Sequence, residues 1–242
     1  MTTMGIRDRA RAELVREITD TARRHLAERG AATLSVRAVT RELGMSPSAV
    51  YRYFPNRDAL LTALILEAYQ GVADAATTAE SDVPRADLAG RWLAVFRAVR
   101  GWALDHPHEY ALIYGSPVPG YVAPQDTAVP AAGVALLLAR IAVDAAAGAG
   151  LEPPPGPPVP EELRADAADR TAQVLQDLPV ESDGLDGIDP RAVIAVVDAW
   201  TMLFGTVSFE LFGHYHRVVE ARSAHLDHVA RTCGRAVGIR GL

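Results

Sequence analysis

The chain of 242 residues contains no lysine: all 24 of its basic side chains are arginine. It has one cysteine, Cys233, so an intrachain disulfide is excluded and a reducing cytoplasm is the natural compartment. Aromatic residues make up only 6% of the chain against 49% hydrophobic residues overall, which suits a helical protein built on alanine, leucine and valine. The amino terminus, MTTMGIRDRARAEL, lacks the apolar run of a signal peptide. The most apolar later segment, 131–147, is interrupted by Arg140 and Asp144 and falls short of the roughly 20 residues that a spanning helix needs. A soluble cytoplasmic protein with no membrane partner is therefore expected. No G-x-S-x-G elbow, no glycine loop to cradle a phosphate and no CxxC pair occurs. An enzyme reading thus has no motif behind it, and no cofactor is expected.

The formal charge of −6 would argue against a nucleic-acid partner if it were evenly spread. Residues 1–58, however, hold eleven arginines against seven acids, and the remainder thirteen against twenty-three, so the two parts carry +4 and −10. A basic amino-terminal module on an acidic body is the asymmetry expected when one end meets DNA.

The stretch 35–61, SVRAVTRELGMSPSAVYRYFPNRDALL, packs two short helical patterns around one glycine. Val36, Val39 and Leu43 form one apolar stripe, and Gly44 can take the left-handed conformation that ends a helix cheaply. Ser46 is placed to cap the next helix with its hydroxyl, and Pro47 suits the first helical position. In that second helix Val50 and Phe54 point inward, leaving Pro47, Ser48, Ala49, Tyr51, Arg52 and Tyr53 outside. Helix, tight turn and helix with a polar, aromatic outer face is the helix-turn-helix pattern, whose second helix enters the DNA major groove. Pro55 and Asn56 stop it, and a longer helix opens at Arg57-Asp58.

Gly30, Ser35, Arg37, Leu43-Gly44-Met45-Ser46, Val50-Tyr51, Tyr53-Phe54, Arg57 and Leu60 resemble, in order and spacing, the TetR/AcrR-type transcriptional regulators. Three positions depart from that pattern: Thr40 stands where alanine is usual, Tyr53 where histidine is frequent, and Arg57 where lysine is usual. The resemblance implies an all-α protein with a three-helix DNA-binding domain, 1–56, and a larger helical effector-binding and dimerisation domain, 57–242. It implies that Arg37, Pro47, Ser48, Ala49 and Tyr51 face bases, while Ser35, Ser46, Tyr53 and Arg57 hold phosphates. The residue types suit those roles, since arginine reads guanine bidentately, Pro47 and Ala49 can touch a thymine methyl, and hydroxyls suit phosphate oxygens. Asp105-His106-Pro107 through Tyr114-Gly115-Ser116-Pro117, with Trp200 to Gly205, is similar to a subgroup named for a carboxy-terminal WHG domain, with Phe204 in place of its histidine.

Taken in order, helix 1 is expected from Arg7 to Arg29 with Leu14, Ile18, Ala22 and Leu26 on one side, ended by Gly30. A long helix runs from Asp58 to about Thr78, and Leu88, Trp92, Phe96, Val99, Trp102 and Ala103 mark another. A short turn, 111–114, and a Pro/Gly loop follow, where Tyr110, Tyr114 and Tyr121 can line a mouth. A helix at 131–147 leads into LEPPPGPPVP, which cannot be helical and reads as a surface loop rather than an SH3-type ligand. A helix at 161–176, an acidic glycine-rich loop, ESDGLDGIDP, and two final helices, 190–213 and 214–237, complete the reading. The first of that pair is apolar nearly all round, from Val193 to Phe212, which calls for burial on more than one side. The resemblance implies that the pair forms a four-helix bundle across a two-fold axis, placing two recognition helices about 34 Å apart on a palindromic operator in double-stranded DNA.

Trp92, Phe96, Trp102, Tyr110, Tyr114, Trp200 and Phe204 are the candidates for an effector pocket, with plain core packing as the competing reading. His214, His216, His225, Asp227 and His228 cluster late in the chain, and His225 and His228 share a helix face. They lack a tight motif such as H-E-x-x-H, so no metal is expected. Two readings follow: a dimeric repressor released from its operator by a small molecule, or a DNA-binding module without an effector, governed by a protein partner or acting architecturally.

Overall fold

The computed structural model describes residues 5–124, 127–148, 151–154, 156–177 and 189–242. Most of the acidic glycine-rich loop, 181–188, and Pro155 of the proline-rich stretch lie outside the described residues. The described elements are helices: α1 (Ile6–Arg29), a 3-10 turn (Ala31–Thr33), α2 (Val36–Glu42), α3 (Pro47–Tyr51), α4 (Arg57–Ser81), α5 (Leu88–Asp105), α6 (Pro107–Tyr114), α7 (Ala128–Ala131), α8 (Gly133–Ala147), α9 (Glu161–Asp177), α10 (Pro190–Leu211) and α11 (Arg222–Val237). They fall into two compact units, one of residues 1–70 with 106–131, the other of 71–105 with 132–242. The first unit thus takes in more than residues 1–56: the start of α4 and all of α6 and α7 belong to it as well.

In the first unit, Ile18 and Ala22 of α1, Val36 and Val39 of α2, Val50 and Phe54 around α3, and Leu60, Leu61 and Leu64 of α4 make one buried core. All but Phe54 come from the apolar stripe of a helix, so the spacing in the sequence becomes a shared interior; α3 ends at Tyr51, short of the expected stop at Pro55, and Phe54 turns inward just beyond it. Leu112, Val118 and Tyr121 pack against this core from far downstream. Tyr121 also exchanges a hydroxyl hydrogen bond of 3.0 Å with Thr62. Arg23 ties three helices: it donates to Asp20 of its own helix at 2.6 Å and Glu67 of α4 at 2.7 Å, and lies 3.2 Å from Glu109 of α6.

In the second unit, α10 packs on α5, α8, α9 and α11. Trp92, Val95, Phe96 and Val99 of α5 are fully buried. Arg91 is buried too, between Glu80 of α4 and Asp144 of α8. Removing one partner of such a buried pair costs about 3–5 kcal/mol, so this cluster locks three helices together. Bidentate pairs Arg97–Asp227 and Arg100–Glu210 tie α5 to α11 and α10. Asp189 caps α10 by accepting from the Arg191 N–H at 2.8 Å.

Three expectations need correction. The last helix starts at Arg222, not at residue 214, because Gly213 and Arg217 both take positive φ (80° and 60°) and residues 212–218 form turns. The stretch 111–114 is not a turn of its own but the end of an eight-residue helix that Pro107 opens. The expectation that no apolar segment reaches spanning length also gives way: α4 and α10, unlike 131–147, are long and apolar enough to cross a bilayer by length and composition. In this fold both bury apolar faces against neighbouring helices, as core helices do.

Candidate nucleic-acid interface

The turn between α2 and α3 is set by Gly44, at φ 63°. Its N–H reaches the Arg41 carbonyl at 3.3 Å and the Met45 N–H reaches Thr40 at 3.0 Å, the paired closure of a Schellman motif. A side chain at Gly44 would meet no atom within 4 Å, so conformation rather than space demands glycine. Thr40, the buried departure from alanine, satisfies its hydroxyl by donating to the Arg37 carbonyl at 2.8 Å.

Pro47 opens α3 as its pattern requires, and Val50 is fully buried. Ser46 occupies the cap position, but its hydroxyl lies 3.1 Å from that of Ser48 and makes no cap bond, contrary to the capping expectation. The next helix has the side-chain cap instead: Asn56 accepts from the Ala59 N–H at 2.8 Å. Arg37, Ser46, Pro47, Ser48 and Tyr51 are exposed, whereas Ser35, Ala49, Tyr53 and Arg57 are half-buried.

Arg57 is tied into the protein itself. Its Nε donates to the Leu34 carbonyl at 3.2 Å and its Nη2 to Ala31 and Ala32 at 3.0 and 3.2 Å. The guanidinium therefore braces the segment leading into α2, and Nη1 lies 3.9 Å from Asp58.

Several charged residues that sequence patterns did not single out shape this surface. The Glu42 carboxyl, at the end of α2, lies 2.6 Å from His25 Nε2 and accepts from Arg24 at 2.9 Å. The hydrogen bond from His25, then that from Arg24, hold its pKa below the ordinary glutamate value. Only the spacing from α1 to the end of α2 in the fold brings this pair together, so no local motif announces it. Arg41 and Arg52 are exposed and, among the described residues, have no carboxylate partner. Uncompensated guanidinium groups beside a recognition helix supply the phosphate-directed attraction that fixes a protein on a duplex.

Residues 18–64, which span α1 to α4, match the model for bacterial regulatory proteins of the tetR family, and residues 92–233 match that for the tetracyclin repressor-like C-terminal domain. The second match covers more than half the chain. The chain belongs to the TetR family. It is 39% identical over 220 residues to an HTH-type transcriptional regulator of Mycobacterium tuberculosis H37Rv, covering 88% of this chain and 86% of that protein, and equally to one of Mycobacterium bovis. The crystal structure of SCO4313, a candidate regulatory protein, superposes with a TM-score of 0.70 at 31% identity, over 95% of this chain and 98% of that one. A TetR family transcription regulator from Marinobacter aquaeolei shares the fold at a TM-score of 0.56 and 20% identity. The chain is accordingly a helix-turn-helix, DNA-binding transcriptional regulator.

The aromatic residues considered for a TetR effector pocket are divided between the two units. Tyr110 and Tyr114 lie in the first, with ring centroids 5.1 Å apart and Tyr69 a further 6.0 Å from Tyr114. Burial raises the Tyr114 hydroxyl above the usual tyrosine range. In the second unit Trp92 and Phe96 are fully buried, and Trp92 Nε1 donates to the Ala230 carbonyl at 2.8 Å. Trp102 is buried against Gly71, where a Cβ would come within 3.1 Å of its ring nitrogen. Trp200 packs edge-on to Phe204 with centroids 6.3 Å apart, and among the described residues its buried Nε1 has no hydrogen-bond partner. Among the described residues no group of three histidine, cysteine or acidic side chains is placed to hold a metal. His214 and His225 pack instead on Phe209 and Tyr215.

Proposed function

We propose that this regulator is a homodimeric repressor that binds a palindromic operator and is released by a small molecule in the cytoplasm. The dimer reading rests on α10. Val197, Met202 and Phe209 there, with Phe212 just past its end, are 43–52% exposed, joined by exposed Thr201 and Gly205 at steps of three and four residues. An apolar stripe of this kind on a long helix marks an interaction surface. A second copy covers it with the same stripe and with the exposed face of α11, which carries Ala224, His228 and Thr232.

On the operator, Arg37, Pro47, Ser48, Ala49 and Tyr51 take the base edges, and Ser35, Ser46, Tyr53 and Nη1 of Arg57 take phosphates. For the effector, Trp200 and Phe204 are the leading pair of the seven aromatic candidates. Trp92 has already spent its donor on Ala230, whereas a buried, unpaired indole N–H costs free energy that an acceptor on a ligand would recover. The coupling requires that the ligand favour the spacing of the two recognition helices that does not fit the operator.

The test is operator binding by protein variants and screened compounds. Arg37→Ala is expected to lose about 1–3 kcal/mol at one base position while leaving the others unchanged. A uniform loss across all sequences would remove Arg37 from base reading. If no compound that binds the second unit alters operator affinity, the effector mechanism falls and control by a protein partner takes its place.

A further inference from the structure

Some arginines of the first unit have their donors engaged within the protein. Arg23 serves three carboxylates, Arg24 serves Glu42, and Arg57 serves three backbone carbonyls. Arg11 differs. It is exposed on α1, and its guanidinium carbon lies 5.7 Å from the centroid of the Tyr53 ring. A guanidinium held over an aromatic face uses its π-surface for that contact and leaves its N–H groups unspent. Among the described residues no carboxylate or carbonyl accepts from Arg11.

The ring that holds it is itself fixed. Tyr53 is half-buried, packs against the core of the first unit, and donates its backbone N–H to the Val50 carbonyl at 2.9 Å. It lies two residues beyond the end of α3. Arg11 is therefore stationed at the carboxy-terminal end of α3, over the ring that follows exposed Arg52, which has no carboxylate partner among the described residues. Holding an uncompensated cation in place there gains nothing in the free protein beyond the ring contact. An anion at that position gains a pre-oriented, planar, multi-donor partner, which is what arginine offers a phosphate.

We propose that Arg11, stacked on Tyr53, is a phosphate-binding residue of the DNA interface, so that the footprint includes a contact from α1 outside the helix-turn-helix. The proposal rests on the DNA-binding reading of the first unit and adds one phosphate contact per protomer. Neutralising a phosphate on a duplex releases counterions, so each such contact contributes about 0.9 to the slope of log K against log salt concentration.

The experiment is a salt titration of binding to a mixed-sequence duplex by the full-length protein, its Arg11→Ala variant and an Arg164→Ala control, with thermal unfolding of each. Arg164, on α9 in the second unit, is half-exposed and removes the same unit of charge. Expected is a slope shallower by about 0.9 per bound protomer for Arg11→Ala at an unchanged unfolding temperature, and the wild-type slope for Arg164→Ala. A wild-type slope in Arg11→Ala overturns the proposal, as does an equal loss in Arg164→Ala, which would trace the effect to net charge. A wild-type protein with no affinity for any duplex overturns the proposal together with the reading it rests on, and is recognised by the absence of any slope to compare.

Discussion

Replacing Arg57 with alanine removes three hydrogen bonds to the segment that leads into α2, and their surroundings set the cost. The bonds to Leu34 and Ala31 are partly buried, whereas the one to Ala32 is exposed, so water replaces the last at little expense. Counting about 1 kcal/mol for each of the two shielded bonds gives a destabilisation of about 2 kcal/mol. Arg57→Lys keeps the charge but presents a point donor in place of a fork, and should lose about half of that. Chemical denaturation of the two variants measures these differences, and duplex binding read in parallel separates brace from phosphate contact. Arg57→Ala should lose stability together with salt slope, whereas Arg57→Lys should lose stability and retain the slope. An unfolding free energy unchanged in Arg57→Ala would refute the brace, whatever happens to DNA binding.

Other perturbations probe the same framework. Gly44→Ala meets no steric obstacle, so its cost should be that of the left-handed backbone alone, about 1 kcal/mol by denaturant titration. Trp92→Phe deletes the buried donor to Ala230 and should cost about 2 kcal/mol, read as a lowered unfolding temperature. Glu42 and Asp227 are held below their ordinary pKa values, chiefly by hydrogen bonds from His25 and Arg97 respectively. A carboxylate depressed in the folded state stabilises it above the unfolded pKa and ceases to as pH falls through the folded one. Stability should therefore decline below about pH 4, and Asp227→Asn should flatten that decline in unfolding curves taken at descending pH.

The elements legible in the sequence are those whose information is local. The stripe Val36, Val39, Leu43, the turn at Gly44 and the inward pair Val50 and Phe54 each depend on neighbours within a few residues, and the fold keeps them as read. The break between the last two helices reaches beyond Gly213 because of a positive φ at Arg217, a residue type that gives no turn signal. The attachment of Leu112, Val118 and Tyr121 to the DNA-binding core was hidden for a different reason: it joins segments some sixty residues apart, as the Thr62–Tyr121 bond shows. The charged contacts behave likewise. Arg57 sits where the resemblance implies a phosphate donor, yet most of its donors face backbone carbonyls 23 to 26 residues away. Arg11 lies on a helix rich in arginine, and only its position over Tyr53 distinguishes it. Sequence spacing specifies which face of a helix a charge occupies; the partner across the fold decides whether that charge is free for DNA.

The most direct test of the central claim is selection of bound sites from randomised duplex DNA by the purified full-length protein at roughly physiological salt. A sequence-specific dimeric regulator predicts a palindrome whose half-sites are separated by about one helical turn or a small multiple of it. A diffuse set of unrelated sequences, held with steep salt dependence alone, would contradict it and leave a DNA-binding module without operator or effector.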